Sequence, residues 1–195
     1  MRKILTAIFV VGLVATIAGA GTFAYFSDTR SSSENTFTAG TLDLQTMAWN
    51  SLVWSDGVTA TWTATNMKPG DEFPFNVEFV GLRRAGTLTP SSLEITCDYS
   101  VLPEAATEPD GMAQHMIITR FRYNGINYLD DIADVDGDGE KTFYDLKNSP
   151  VTGLPIPVGG DSATFFRLSV KFSESAGNEF QGATFDLTMI FTLNQ

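Results

Sequence analysis

Basic residues, cysteine and histidine are scarce in this 195-residue sequence. Twelve Lys and Arg stand against 23 Asp and Glu, a formal net charge of −11. Such a surface repels phosphates, and Arg83-Arg84 is too small a basic cluster to form a patch, so no nucleic-acid partner is expected. Cys97 is the one cysteine, which excludes an intrachain disulfide. It falls in Leu93-Glu94-Ile95-Thr96-Cys97-Asp98-Tyr99, where apolar and polar residues alternate. A buried, inert strand thiol is therefore expected rather than a nucleophile. His115 is the one histidine. No HExxH pair exists for zinc, and a Ser-His-Asp or Cys-His arrangement would have to use this single side chain. A surface or strand-edge histidine is expected, and no enzyme signature supports a catalytic one. Internal repeats, a phosphate-cradling glycine loop and a linker that would divide the chain are also missing.

The remainder suits one globular domain, with 43% hydrophobic and 18% charged residues. Its one sustained apolar run, Ile4 to Ile17, follows the positive Arg2-Lys3 pair. Residues 1–24 read as an export signal, so the protein is expected to be secreted and to meet a membrane only before cleavage. Ala18-Gly19-Ala20 and Thr22-Phe23-Ala24 both offer small residues where a signal peptidase reads. The alternative, a retained anchor, is disfavoured because the run is short of the roughly 20 residues a spanning helix needs. Ser27 to Asn35 is small and polar, a composition that does not build a core.

From residue 41 onward the pattern is that of strands. Thr41-Leu42-Asp43-Leu44-Gln45 alternates with period two, as do Val58 to Thr65 and the face formed by Phe73, Phe75, Val77 and Phe79. Further strands are expected at Met116–Tyr123, Phe165–Phe172 and Ala183–Leu193. Asp56-Gly57 and Asn124-Gly125 are hairpin signals, and Lys68-Pro69-Gly70-Asp71 is a type II turn sequence. Only 130–148 shows helical possibilities, in short pieces. Trp49, Trp54 and Trp62 are expected in the core or at an interface. Short strands separated by Gly and Pro turns predict an all-β sandwich or jelly roll over 41–195, with a short helical or loop insertion.

The sharpest chemical signal is Asp134-Val135-Asp136-Gly137-Asp138-Gly139-Glu140-Lys141-Thr142-Phe143-Tyr144-Asp145. Carboxylates stand at positions one, three and five, and Gly139 at six allows a sharp turn. Glu140 offers its carbonyl, Thr142 a direct or water-mediated ligand, and Asp145 closes the loop. This spacing wraps oxygen ligands around Ca²⁺. It resembles the dockerin form of the EF-hand loop, which ends in Asp. Lys141 departs from that pattern, and the single copy implies no cohesin partner. A solvated acidic turn is the alternative; carboxylates this close repel one another without a cation, which favours Ca²⁺.

Four blocks in order, GTFAYFSD, NTFTAGTLDL, NMKPGDEF and FQGATFDLTMIFTLNQ, resemble the TasA/camelysin (CalY) family, whose members carry a SipW-type signal peptide and are related to archaeal bundling-pilus subunits. The segment from about Ala85 to Pro157 carries no motif of that family. The resemblance implies cleavage between Ala24 and Tyr25. It also implies a jelly-roll body that polymerises with identical subunits into extracellular, biofilm-type fibres. Residues 25–40 would then be a donor arm that completes a sheet of the neighbouring subunit. Tyr25, Phe26 and Phe37 fall in that arm with the polar Ser27, Asp28 and Thr29, and Tyr25 and Phe26 are its apolar anchors. An extended segment can satisfy a neighbour's unpaired backbone groups in this way. Camelysin is described as a metalloprotease, but one histidine and no HExxH do not supply that ligand set, so no enzymatic activity is expected here. A camelysin-type metalloprotease and a monomeric calcium-dependent surface-binding module remain the alternatives.

Overall fold

Period-two alternation becomes a buried face in the longest strands. The computed structural model describes residues 42–48, 53–56, 61–65, 68–73, 79–102, 108–180 and 182–195. In β6 (Ser92–Leu102) the residues Leu93, Ile95, Cys97, Tyr99 and Val101 are buried and the residues between them face outward. β11 (Thr184–Asn194) pairs with β6 along its whole length, from Thr184 opposite Leu102 to Asn194 opposite Ser92. With β3 (Thr61–Thr65) and β9 (Val151–Leu154) they form a four-stranded antiparallel sheet in the order β3-β11-β6-β9.

The facing sheet is also antiparallel. β1 (Leu44–Ala48), β2 (Ser55–Asp56), β5 (Val80–Arg84), β7 (Met116–Tyr123), β8 (Ile126–Asn127) and β10 (Thr164–Phe172) run in the order β2-β1-β5-β10-β7-β8. β4 (Glu72–Phe73) pairs with the far end of β10. The protein is an all-β sandwich. Phe166 of β10 crosses between the layers, packing edge-on against Phe121 at 5.1 Å and Phe191 at 5.3 Å. Phe121 and Phe166 are fully buried, and each contributes about 1.5–3 kcal/mol.

Two short helices close one side of the sandwich. α1 (Pro109–Gln114) buries Met112 and Ala113, and α2 (Phe143–Asn148) buries Phe143 and Leu146. α2 lies along the flank of β6, with the Thr96 hydroxyl donating to the Leu146 carbonyl at 3.0 Å. From the other sheet, Ile117 bridges to Thr142 at the start of α2.

Several expectations hold and several need correction. β7 begins and ends where the alternation places it, and Cys97 is buried. Asn124 and Gly125 both take positive φ, 51° and 77°, as a tight hairpin of type I′ requires. Gly70 has φ 90°, and the Asp71 amide closes its turn onto the Lys68 carbonyl at 2.9 Å. β1 starts three residues later than the 41–45 pattern, because its pairing with β5 runs from Leu44 to Ala48. Asp56 belongs to a strand that turns back onto β1, not to a hairpin with β3. Trp54 is half-exposed, with the Arg83 guanidinium 4.4 Å over its ring, rather than in the core. α1 lies outside the 130–148 window to which helix was confined. The expected export signal 1–24, the expected arm residues Tyr25, Phe26, Ser27, Asp28, Thr29 and Phe37, and the expected Ala24–Tyr25 junction lie outside the described residues.

Candidate cation loop and the adjoining cleft

The 134–145 segment is built by its own aspartates. Asp134 accepts from the Gly137 amide at 2.7 Å and the Gly139 amide at 3.0 Å. Asp136 accepts from the Asp138 amide at 3.3 Å, and Asp138 from the Glu140 amide at 2.8 Å. Gly137 and Gly139 turn the chain at φ 79° and 88°, a region that side-chain-bearing residues avoid. The result brings carboxylate oxygens of Asp134, Asp136 and Asp138 within 4.8 Å of one another, all three residues exposed.

Of the other three expected ligands, Glu140 is exposed and was expected to offer its backbone carbonyl, not its carboxylate. Thr142 and Asp145 are fully buried. One Asp145 oxygen accepts from the Thr142 amide at 2.8 Å and the Thr142 hydroxyl at 2.7 Å. The other accepts from the Val135 amide at 2.8 Å. Together they form a capping box on α2, so the closing carboxylate ties the loop to the helix. The donor set fits a hydrated hard cation in part. Asp134, Asp136 and Asp138 converge from one side, the Glu140 carbonyl is the next candidate, and Asp145 is already engaged on both oxygens. A Ca²⁺ ion takes six to eight oxygens, so water would have to supply the balance.

Beside the loop is an open cleft of about 700 Å³, lined by His115, Asp136, Asp138, Glu140, Lys171 and Glu174 among others. His115 caps the C-terminal end of α1, and its ring meets Phe180 edge-on at 5.1 Å. Lys171 and Glu174 pair across the rim at 2.8 Å. This cleft joins three segments separate in sequence, 114–117, 136–140 and 171–175, and no local motif announces it.

A family model described as camelysin metallo-endopeptidase matches residues 1–195. The chain belongs to this family. No curated protein matches it. The match spans the same stretches that carry the TasA/camelysin resemblance. In this camelysin-family chain Cys97 is buried against α2, with its sulfur 3.5 Å from the Phe143 carbonyl. Burial pushes its thiol far above the ordinary range, which keeps it protonated and unreactive. Lys147, hydrogen-bonded to Asp98 at 2.8 Å, holds that carboxyl below its usual value. Among the described residues no helix is long and apolar enough to cross a membrane.

Proposed function

We propose that this protein is an exported, non-enzymatic subunit of an extracellular fibre or pilus, assembled by donation of the 25–40 arm to a neighbouring copy. The observation that carries the reading is the match of one family model across the arm and the sandwich together. The β-sandwich suits it. Among the described residues, each sheet ends in short strands, two residues in β2 and β8 and four or five in β9 and β3. A strand edge is where an extended segment of another chain adds. A head-to-tail contact that does not close builds a filament. Cleavage between Ala24 and Tyr25 would free the arm. Calcium, held by Asp134, Asp136 and Asp138 with the Glu140 carbonyl, would neutralise the loop and hold it in its present shape.

The test is negative-stain microscopy of the secreted chain and of a variant lacking residues 25–39. Fibres from the first and none from the second are expected. Fibres from both would remove strand donation by this arm.

One observation favours a second reading, a camelysin-type metalloprotease. His115, Asp136, Asp138, Glu140 and Glu174 line one open cleft, and all are residue types that metals use. Casein hydrolysis lost on chelation and in His115→Ala would establish it; no hydrolysis, or hydrolysis unchanged in that variant, leaves the fibre reading.

A further inference from the structure

The outer face of the seven-stranded sheet carries a pairing that the fold does not need. Arg167 of β10 stands directly opposite Arg122 of β7, and both are exposed. Like charges directly opposite on one sheet face destabilise the pair. Arg122 donates to the Gly125 carbonyl, and among the described residues no carboxylate pairs with either arginine. The contrast is Arg83 on the same face, which is bound by Gln45 at 2.8 Å and Asp161 at 3.4 Å. On the same face, two residues before Arg167, lies the exposed ring of Phe165, at 41% exposure. In a chain with 12 basic residues and a net charge of −11, this is an unusual place to concentrate positive charge.

The complement is in the same chain. Residues 130–140 hold six acids and no base, all six exposed. That segment runs beside β7, fixed by the Tyr128 amide on the Phe121 carbonyl at 2.8 Å and the Ile118 amide on the Lys141 carbonyl at 2.6 Å. Its start is held beside Phe121 and its end reaches the Ile117 end of β7. Among the described residues, none of these acids pairs with Arg122 or Arg167 of the same copy. We propose that the Arg122–Arg167 face receives the 130–140 loop of a second copy, with Phe165 as the apolar part of the contact. The contact is heterologous: each copy keeps one free loop and one free face, so it propagates rather than closes. A polyanion is the other occupant that two exposed arginines could take, and the experiment below separates the two. The inference deepens the fibre reading by naming a contact between identical subunits, and it is separable from strand donation because it depends on salt. Main-chain pairing does not depend on salt to that degree.

The experiment is sedimentation velocity on the full secreted chain at increasing NaCl, with melting curves to check the fold. Near 0.15 M salt the repulsion between two acidic molecules is screened beyond about 8 Å, while contact pairs survive. Association by this route should fall about tenfold by 1 M salt as those pairs are screened in turn. Arg122→Glu should abolish the salt-sensitive association while melting no lower than the parent, since it creates an opposite-charge pair with Arg167. The decisive arm is a charge swap. Arg122→Glu/Arg167→Glu and Asp130→Lys/Asp131→Lys should each fail to associate by the salt-sensitive route alone, and an equimolar mixture should recover it. Folded variants that associate as the parent does, or a mixture that does not recover, overturn the proposal. So does loss of dextran sulfate binding in Arg122→Glu with self-association intact, which would assign the face to a polyanion. Deletion of 25–39 should remove only the salt-resistant association; its failure to do so would count against strand donation and leave the arginine face standing.

Discussion

Thr142 and Asp145 hold each other at the start of α2. The Thr142 hydroxyl donates to Asp145 at 2.7 Å, and the Asp145 amide returns a bond to the Thr142 oxygen at 3.3 Å. Both side chains are fully buried. Asp145→Ala removes a cap and leaves the Thr142 and Val135 amides short of an acceptor. A loss of about 2–3 kcal/mol is expected, combining a lost cap with unsatisfied buried donors. Urea denaturation checks it. A loss under about 0.5 kcal/mol, the range of an ordinary surface change, would show the box to be dispensable.

Calcium should act on the neighbouring carboxylates. If the loop holds the ion, saturating Ca²⁺ at about 100 times its dissociation constant raises stability by about 2.7 kcal/mol. Asp136→Asn, which leaves the buried box intact, should lose most of that rise. A melting temperature indifferent to both Ca²⁺ and chelator would leave the cluster as a solvated acidic turn.

Tyr99 predicts an alkaline limit. Its hydroxyl donates to Asp110 at 2.8 Å, and burial first, then that acidic partner, push the phenol well above its usual value. A folded-state value raised above the unfolded one gives stability that is complete below about pH 10 and is lost as pH climbs through the folded value. Ultraviolet titration of the native chain at pH 11 should therefore show the same phenolate absorbance in the parent and in Tyr99→Phe. A smaller rise in the variant would mean that Tyr99 ionises freely.

Cys97 should be silent until the protein unfolds. Its raised thiol value and its burial against α2 predict slow reaction with a thiol reagent at pH 8 and rapid reaction in denaturant. Equal rates in the two conditions would contradict the packing.

Much of the architecture was legible, and the reasons are local. Strands such as Met116–Tyr123 announce themselves because one face is buried and the alternation repeats along them. Asn124-Gly125 and Lys68-Pro69-Gly70-Asp71 were readable because positive φ favours particular residues. α1 was missed for want of length: six residues give less than two helical turns of pattern, although Pro109 in its first turn and Asp110 after it are start signals. In the loop, the spacing located Asp134, Asp136 and Asp138 but assigned Thr142 and Asp145 to an ion. A Thr three residues before an acid is also the signature of a capping box, and the two residues form that box. The Arg122–Arg167 pairing could not be read at all. It depends on the register of two strands 45 residues apart, and a slip of one residue would send either side chain to the opposite face.

The unbroken eleven-residue register of β6 against β11 has a mechanical meaning. A pull along the strand axis slides these neighbours past each other, so their backbone bonds share the force together instead of parting one by one from an end. A chain under tension would therefore give way first outside this ribbon, and the four-stranded layer is where it should resist longest.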